Sequence, residues 1–180
     1  MENNTLFERQ SALVQANVLW LGQAMKIVQE IDDTAFAVSP RLLEPHRVGG
    51  HLRHVLEFYE CFLGGLVSSH IDYDARRRDE AVERNRAAAL NSISAIIHRL
   101  RTTPLLRGDC ILWVKMEDVA VAQDCYMTSS VGRELQVLSS HTIHHFALIA
   151  MTLRAHGIEV SPDFGMAPST LRYLASKAAA

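Results

Sequence analysis

Apolar positions recur at spacings of three and four through most of the chain, the signature of helices that bury one face. From Leu6 to Glu30 the repeat runs through Leu13, Val18, Leu21, Ala24, Ile27 and Val28, and Asp32-Asp33-Thr34 ends it. Ser39-Pro40 and Pro45 interrupt the chain before a second helix, which begins between Pro45 and Gly50 and reaches Leu63. Gly49-Gly50 near its start lowers helix propensity and leaves room for another backbone to approach. A polar connection over 68–78 leads to a third helix from Asp79 to Thr102, stopped by Pro104.

The period then changes. Ile111, Leu112, Trp113 and Val114, followed by Val119, Val121 and Tyr126, are strand-tolerant residues. They predict a hairpin of Cys110–Met116 and Ala120–Met127, turning at Glu117-Asp118. Ser129 or Ser130 is a good N-cap for a fourth long helix that runs to His156, with Gly157 as its C′ residue. A short tail helix is expected from Ser169 to Lys177. The expected fold is all-α, a four-helix bundle with a short β-hairpin before the last long helix, and residues 1–180 read as one domain.

Composition narrows the function classes. Lysine and arginine number 18 against 20 aspartates and glutamates, so bulk charge makes no case for nucleic acid or membrane binding. Arg76-Arg77-Arg78 precedes Asp79 and Glu80 and reads as a solvated charged stretch. Cys61, Cys110 and Cys125 are an odd count without CxxC spacing, which favours buried thiols over a disulfide framework. With no leader pattern and no span-length apolar run expected, the cytoplasm is the expected compartment.

The histidines change the picture most. There are nine, and His141, His144 and His145 fall within six residues. His141 and His145 stand four apart, so on a helix both imidazoles share one face, a turn apart. On a wheel with His141 at zero, His145 falls at about 40°, inside an arc containing Leu138 at about 60° and Ile149 at about 80°. His144 falls at about −60°, on its edge, and Glu134 at about 20° is a candidate acceptor behind the histidines. Imidazoles facing a core need partners, and one metal ion satisfies several at once. A third ligand must then come from another helix, and the second helix offers His51 and His54. Its wheel places His51 with Leu52, Val55, Tyr59 and Phe62, and His54 at the margin with Phe58 and Cys61, which favours His51. Three imidazoles with an open position describe a catalytic metal site, zinc by default, with nickel, iron or copper also served by such ligands. His46, His70, His98 and His156 fall at loops or helix ends and read as surface residues. Ser139-Ser140 beside His141 does not read as a nucleophile and base pair, because sequence neighbours diverge on a helix.

Val48-Gly49-Gly50-His51-Leu52-Arg53-His54-Val55 and His141-Thr142-Ile143-His144-His145 resemble the DinB-like (DinB/YfiT-like) metalloenzyme superfamily in order and separation. Asp72-Tyr73-Asp74-Ala75-Arg76 and Phe164-Gly165-Met166-Ala167-Pro168-Ser169-Thr170 look like marks of a subfamily. The resemblance implies a four-helix bundle, often a homodimer, in which three histidines hold a divalent metal. It assigns the ligands to His54, His141 and His145, in contrast to the wheel's preference for His51. It further implies a thiol-dependent transferase; activation of water in place of a thiol would make a hydrolase of a small molecule, and in either case His51 or His144 would transfer protons. A low-molecular-weight thiol or another small substrate would be the partner. A non-catalytic metal-binding or scaffold dimer is the competing expectation.

Overall fold

The computed structural model describes residues 2–116 and 125–178. Four long helices dominate: α1 (Glu2–Glu30), α3 (Val48–Gly65), α5 (Arg86–Thr102) and α6 (Val131–Ala155). Short helices α2 (Asp33–Ala37) and α4 (Glu80–Arg84) lie between them, and α7 (Pro168–Ala178) follows α6. Among the described residues, α1 packs on α5 and α6, and α3 packs on the same two helices. The apolar core draws on all four, with Leu21, Val55, Tyr59, Phe62, Ile93, Leu135 and Phe146 wholly or almost wholly buried.

Three strands form a small sheet: β1 (His70–Asp72), β2 (Ile111–Lys115) and β3 (Met127–Ser130), in that order. β2 pairs antiparallel with β3, as a hairpin requires, and parallel with β1. The second hairpin strand therefore lies later than expected, and the expected turn at Glu117-Asp118 falls outside the described residues. Sequence periodicity missed β1 because Ile71 is its one apolar residue, although that side chain is fully buried. An ion pair of Lys115 with Asp72 at 3.5 Å closes the end of the parallel pair.

The expected helix over 79–102 is broken at Asn85. Asn85 is extended, donates its backbone N–H to Ala81 as the end of α4, and accepts from the Ala88 N–H with its side chain as the start of α5. Asparagine competes for backbone groups in this way, and capping two helices at once offsets the interruption. Next to it, Arg86 donates to the carbonyls of Val28 and Ile31 at the end of α1, and to Asp33 at 2.6 Å. A cation thus meets the negative end of the α1 dipole.

α6 begins and ends as its sequence predicts. Ser130 accepts from the Arg133 N–H, and Gly157 takes φ +77° beyond His156. His156 is half-buried and donates from Nε2 to the Val38 carbonyl at 3.0 Å, so it ties the helix end to the chain after α2. The expectation of buried thiols fails at Cys110 and Cys125, which are exposed, while Cys61 is half-buried. No helix among the described residues is long and apolar enough to cross a membrane.

Gly49 lets α4 approach α3 as the sequence suggests. A Cβ there would meet the Glu83 carbonyl oxygen and the Phe36 ring. Gly64, near the far end of α3, has nothing within 4 Å of a would-be Cβ. We expect Gly49→Ala to destabilise the protein by about 2 kcal/mol or more through overpacking. Gly64→Ala should instead stabilise it by about 0.5 kcal/mol through helix propensity. Urea unfolding midpoints of the two variants check this, and equal shifts would contradict the account.

Candidate metal centre

The packing of α3 on α6 is set by buried polar groups. Tyr59 and Thr142 lie wholly inside the core, and their hydroxyls meet at 3.1 Å. The Tyr59 hydroxyl donates to Asn17 Oδ1 at 2.7 Å, so Thr142 is the donor to Tyr59. Asn17 is itself fully buried and donates to the carbonyls of Leu13 and Leu135. Every polar atom of the set is used, and α1, α3 and α6 are held in one relative register.

That register brings His54 of α3 to His141 of α6, with Nε2 to Nε2 at 3.1 Å. His145, one turn on, completes a group of three half-buried imidazoles whose ligand atoms lie within 4.8 Å of one another. Nitrogens around a tetrahedral ion with bonds near 2.0–2.1 Å stand roughly 3.3 Å apart, so the spacing of this pair suits a shared metal. His51, which the wheel preferred, stands beside the group, its Nδ1 3.2 Å from His145 Nδ1 and its ring stacked on His46. His144 is exposed and meets His145 edge-on with ring centroids 5.2 Å apart.

The helical wheel misplaced the centre of the buried arc on α6. Leu135, Leu138, Thr142, Phe146, Ile149 and Leu153 are buried, which centres the face near Thr142. His141 and His145 lie on its margin and are half-buried, and His145 lines a cavity. On α3 it is His54, and not His51, whose ring nitrogen falls within the group of three.

Burial and mutual repulsion keep these rings neutral. Burial lowers His54 to about 4, helped by the Arg76 and Arg53 guanidiniums. Burial lowers His141 to about 4, with His54, His144 and Arg76 adding to it. Burial lowers His145 to about 3, with the neighbouring histidines adding to it, and burial likewise lowers His51. Neutral imidazoles have a free lone pair, the form that binds metal.

Arg76 is the residue that sequence reasoning missed. Far from being solvated, it is half-buried over the Phe58 ring, with Nη1 2.6 Å from His54 Nδ1. A run of three arginines concealed it, although it ends the Asp72–Arg76 stretch singled out in the sequence. Tyr73 of that stretch stacks on Phe58, which stacks on His141 at 4.1 Å between centroids. Its hydroxyl donates to Glu134 at 2.7 Å, and Ser129 donates to the other Glu134 oxygen at 2.5 Å. Glu134 therefore anchors the ring stack behind His141 and does not itself accept from the histidines. The second sequence mark packs on α6 at Phe146 and Ala147. Phe164 stacks on Phe146, and Gly165 at φ +75° lies against the α6 backbone, where a Cβ would come within 2.6 Å of the Ala147 nitrogen. Ser139 accepts a hydrogen bond from Trp20 at 2.8 Å, which engages it away from any nucleophilic role.

A cavity of about 410 Å³ opens beside the group, lined by His51, His54 and His145 together with Arg47, Arg53 and Glu83.

No family model matches the chain. Among curated proteins, FK506-binding protein 5 of Rhizopus delemar is 33% identical over 105 residues, which make up 58% of this chain. The aligned region is 27% of that protein's length, and its name describes the whole protein.

A folded-state pKa below the ordinary 6.5 means that the unfolded chain takes up the proton first as pH falls. The contribution of these histidines to stability should thus be level above pH 7, then fall from about pH 6.5 down through the folded values near 4 and 3. Urea midpoints across that range, with a chelator present, check the sign. His145→Gln should flatten the slope, and an unchanged slope would contradict these shifts.

Proposed function

We propose that His54, His141 and His145 hold one divalent metal ion, and that the chain is a metal-dependent enzyme of the DinB-like kind acting on a small molecule. The observation that carries this is the convergence of three neutral imidazoles from two helices within 4.8 Å. Ring packing among α1, α3, α5 and α6 supports a four-helix bundle, and the histidine positions support the DinB-like pattern.

The donor set fits zinc, nickel or iron, since imidazole serves each of them. When bound, the ion supplies a Lewis acid that works at neutral pH on a thiol or water. His145 meets His51 through Nδ1, which leaves Nε2 as its ligand nitrogen and makes His51 the acceptor that orients it. His141 Nδ1 is buried without a partner, so the ring depends on Nε2 for its polar contact. His54 adds a constraint. A ligating Nε2 leaves the proton on Nδ1, which cannot then accept from a guanidinium. The Arg76–His54 contact and a loaded site exclude one another, so Arg76 must leave His54 when metal binds.

The adjoining cavity favours an enzyme with an open coordination position over a closed, non-catalytic metal or scaffold site. His51, which lines that cavity, is placed to carry protons in a thiol transfer or a hydrolysis. His144, exposed at the edge of the cluster, is the weaker candidate for that role. A homodimer in the cytoplasm belongs to the same reading. Ile111 and Trp113 share an exposed face of β2 that a second copy can cover.

Elemental analysis of untagged protein should find about one equivalent of metal, lost in a His141→Ala, His145→Ala double variant. Absence of metal after incubation with zinc or nickel and removal of excess would overturn the proposal. Arg76→Gln removes the competing cation and offers Nδ1–H an acceptor. Zinc affinity should rise about tenfold, as measured by competition with a chromogenic chelator. A fall in affinity would show that Arg76 supports the site.

A further inference from the structure

Beside the histidines the cavity lining carries more positive than negative charge, with Arg47 and Arg53 against Glu83. Arg47 and Arg53 share one carboxylate, Glu83, at 3.5 and 3.3 Å. Neither contact is the close, charge-assisted kind, for which nitrogen and oxygen stand about 2.7–2.9 Å apart. Arg53 Nε is buried and has no hydrogen-bond partner. The wall is built and not a loose surface patch. Arg47 is the N-cap residue of α3, Arg53 lies six residues on, and Glu83 is pinned by the approach of its own carbonyl to Gly49. All three line the same cavity as His54 and His145.

We infer that this wall binds the oxyanion group, carboxylate or phosphate, of a small molecule whose other end reaches the histidine cluster. Two guanidiniums that divide one carboxylate between them retain donors for a second anion, and the planar fork of arginine matches either oxyanion. At about 410 Å³ the cavity suits a compact metabolite rather than a polymer. Glu83 sets the arginines in place and moderates their charge, so an uncharged molecule of the same shape meets unpaired guanidinium donors and binds poorly. The inference rests on the metal-site reading only for what happens at the far end of the ligand, because the arginine wall needs no metal.

Succinate and inorganic phosphate, with uncharged succinamide as control, test it by titration of isotope-labelled protein followed through the arginine Nε–H signals. Both chelator-stripped and zinc-incubated samples are used for succinate, and stripped protein for phosphate. Saturable shifts of Arg53 with at least one anion and none with succinamide are expected. Arg53→Gln should weaken that binding about tenfold and Arg53→Lys less, while Glu83→Gln should tighten it. Arg47→Gln serves as a second loss variant should Arg53→Gln fail to fold. Absence of saturable binding by both anions, equal binding of succinamide, or indifference to Arg53, Arg47 and Glu83 would overturn the inference. Metal content measured on the same samples separates the two readings. Anion binding without metal leaves the arginine wall standing alone, and metal without anion binding removes the wall alone.

Discussion

The contact on which the site depends is the buried hydrogen bond from Thr142 to Tyr59, locked by the bond from Tyr59 to Asn17. Thr142 is the neighbour of His141, and Tyr59 lies little more than a turn from His54. Apolar packing alone tolerates sliding of one helix on another, since it is not directional. A fully satisfied polar trio is not so tolerant, because a shift leaves buried hydroxyls and amides unpaired at about 1–3 kcal/mol each. The register of α3 on α6 therefore follows from groups one layer inside the histidines. The 3.1 Å approach of His54 to His141 is a consequence of that register.

From this layer outward the molecule becomes progressively more polar. Phe58 and Tyr73 back His141 with stacked rings, Glu134 holds Tyr73, and the loop at Gly165 presses on the α6 backbone at Phe146 and Ala147. The histidines occupy the margin of the buried face, desolvated enough to stay neutral and open enough to be reached. Beyond them stand Arg47, Arg53 and Arg76, two of which retain a buried donor without a partner. A histidine cluster of metal-ligand spacing thus sits within an arginine-rich rim. Under the proposed metal reading, such a rim would oppose a bare ion and favour one accompanied by an anionic ligand.

Much of this was legible in the residues. The α6 boundaries followed from Ser130 and Gly157, whose roles are local. The four-residue spacing of His141 and His145 placed both on one helix face, and Gly49 announced a close approach. What escaped depended on neighbours distant in sequence. The margin of the α6 face was misjudged because Thr142, polar by type, is buried through its bond to Tyr59. Likewise the choice between His51 and His54 turns on how α3 is rotated against α6, which its own wheel does not contain. β1 is too short to show a period, and Asn85 breaks a helix that its apolar pattern continues. Arg76 looked like one of three surface cations, and its place over Phe58 follows from where the chain crosses α3.

The central claim is that one ion sits between α3 and α6 on His54, His141 and His145. Anomalous diffraction from crystals of zinc-loaded protein, recorded on both sides of the zinc edge, tests it most directly. The account predicts a single strong peak bonded to those three side chains, with Arg76 withdrawn from His54. A peak on other residues, or none between the two helices, would contradict it.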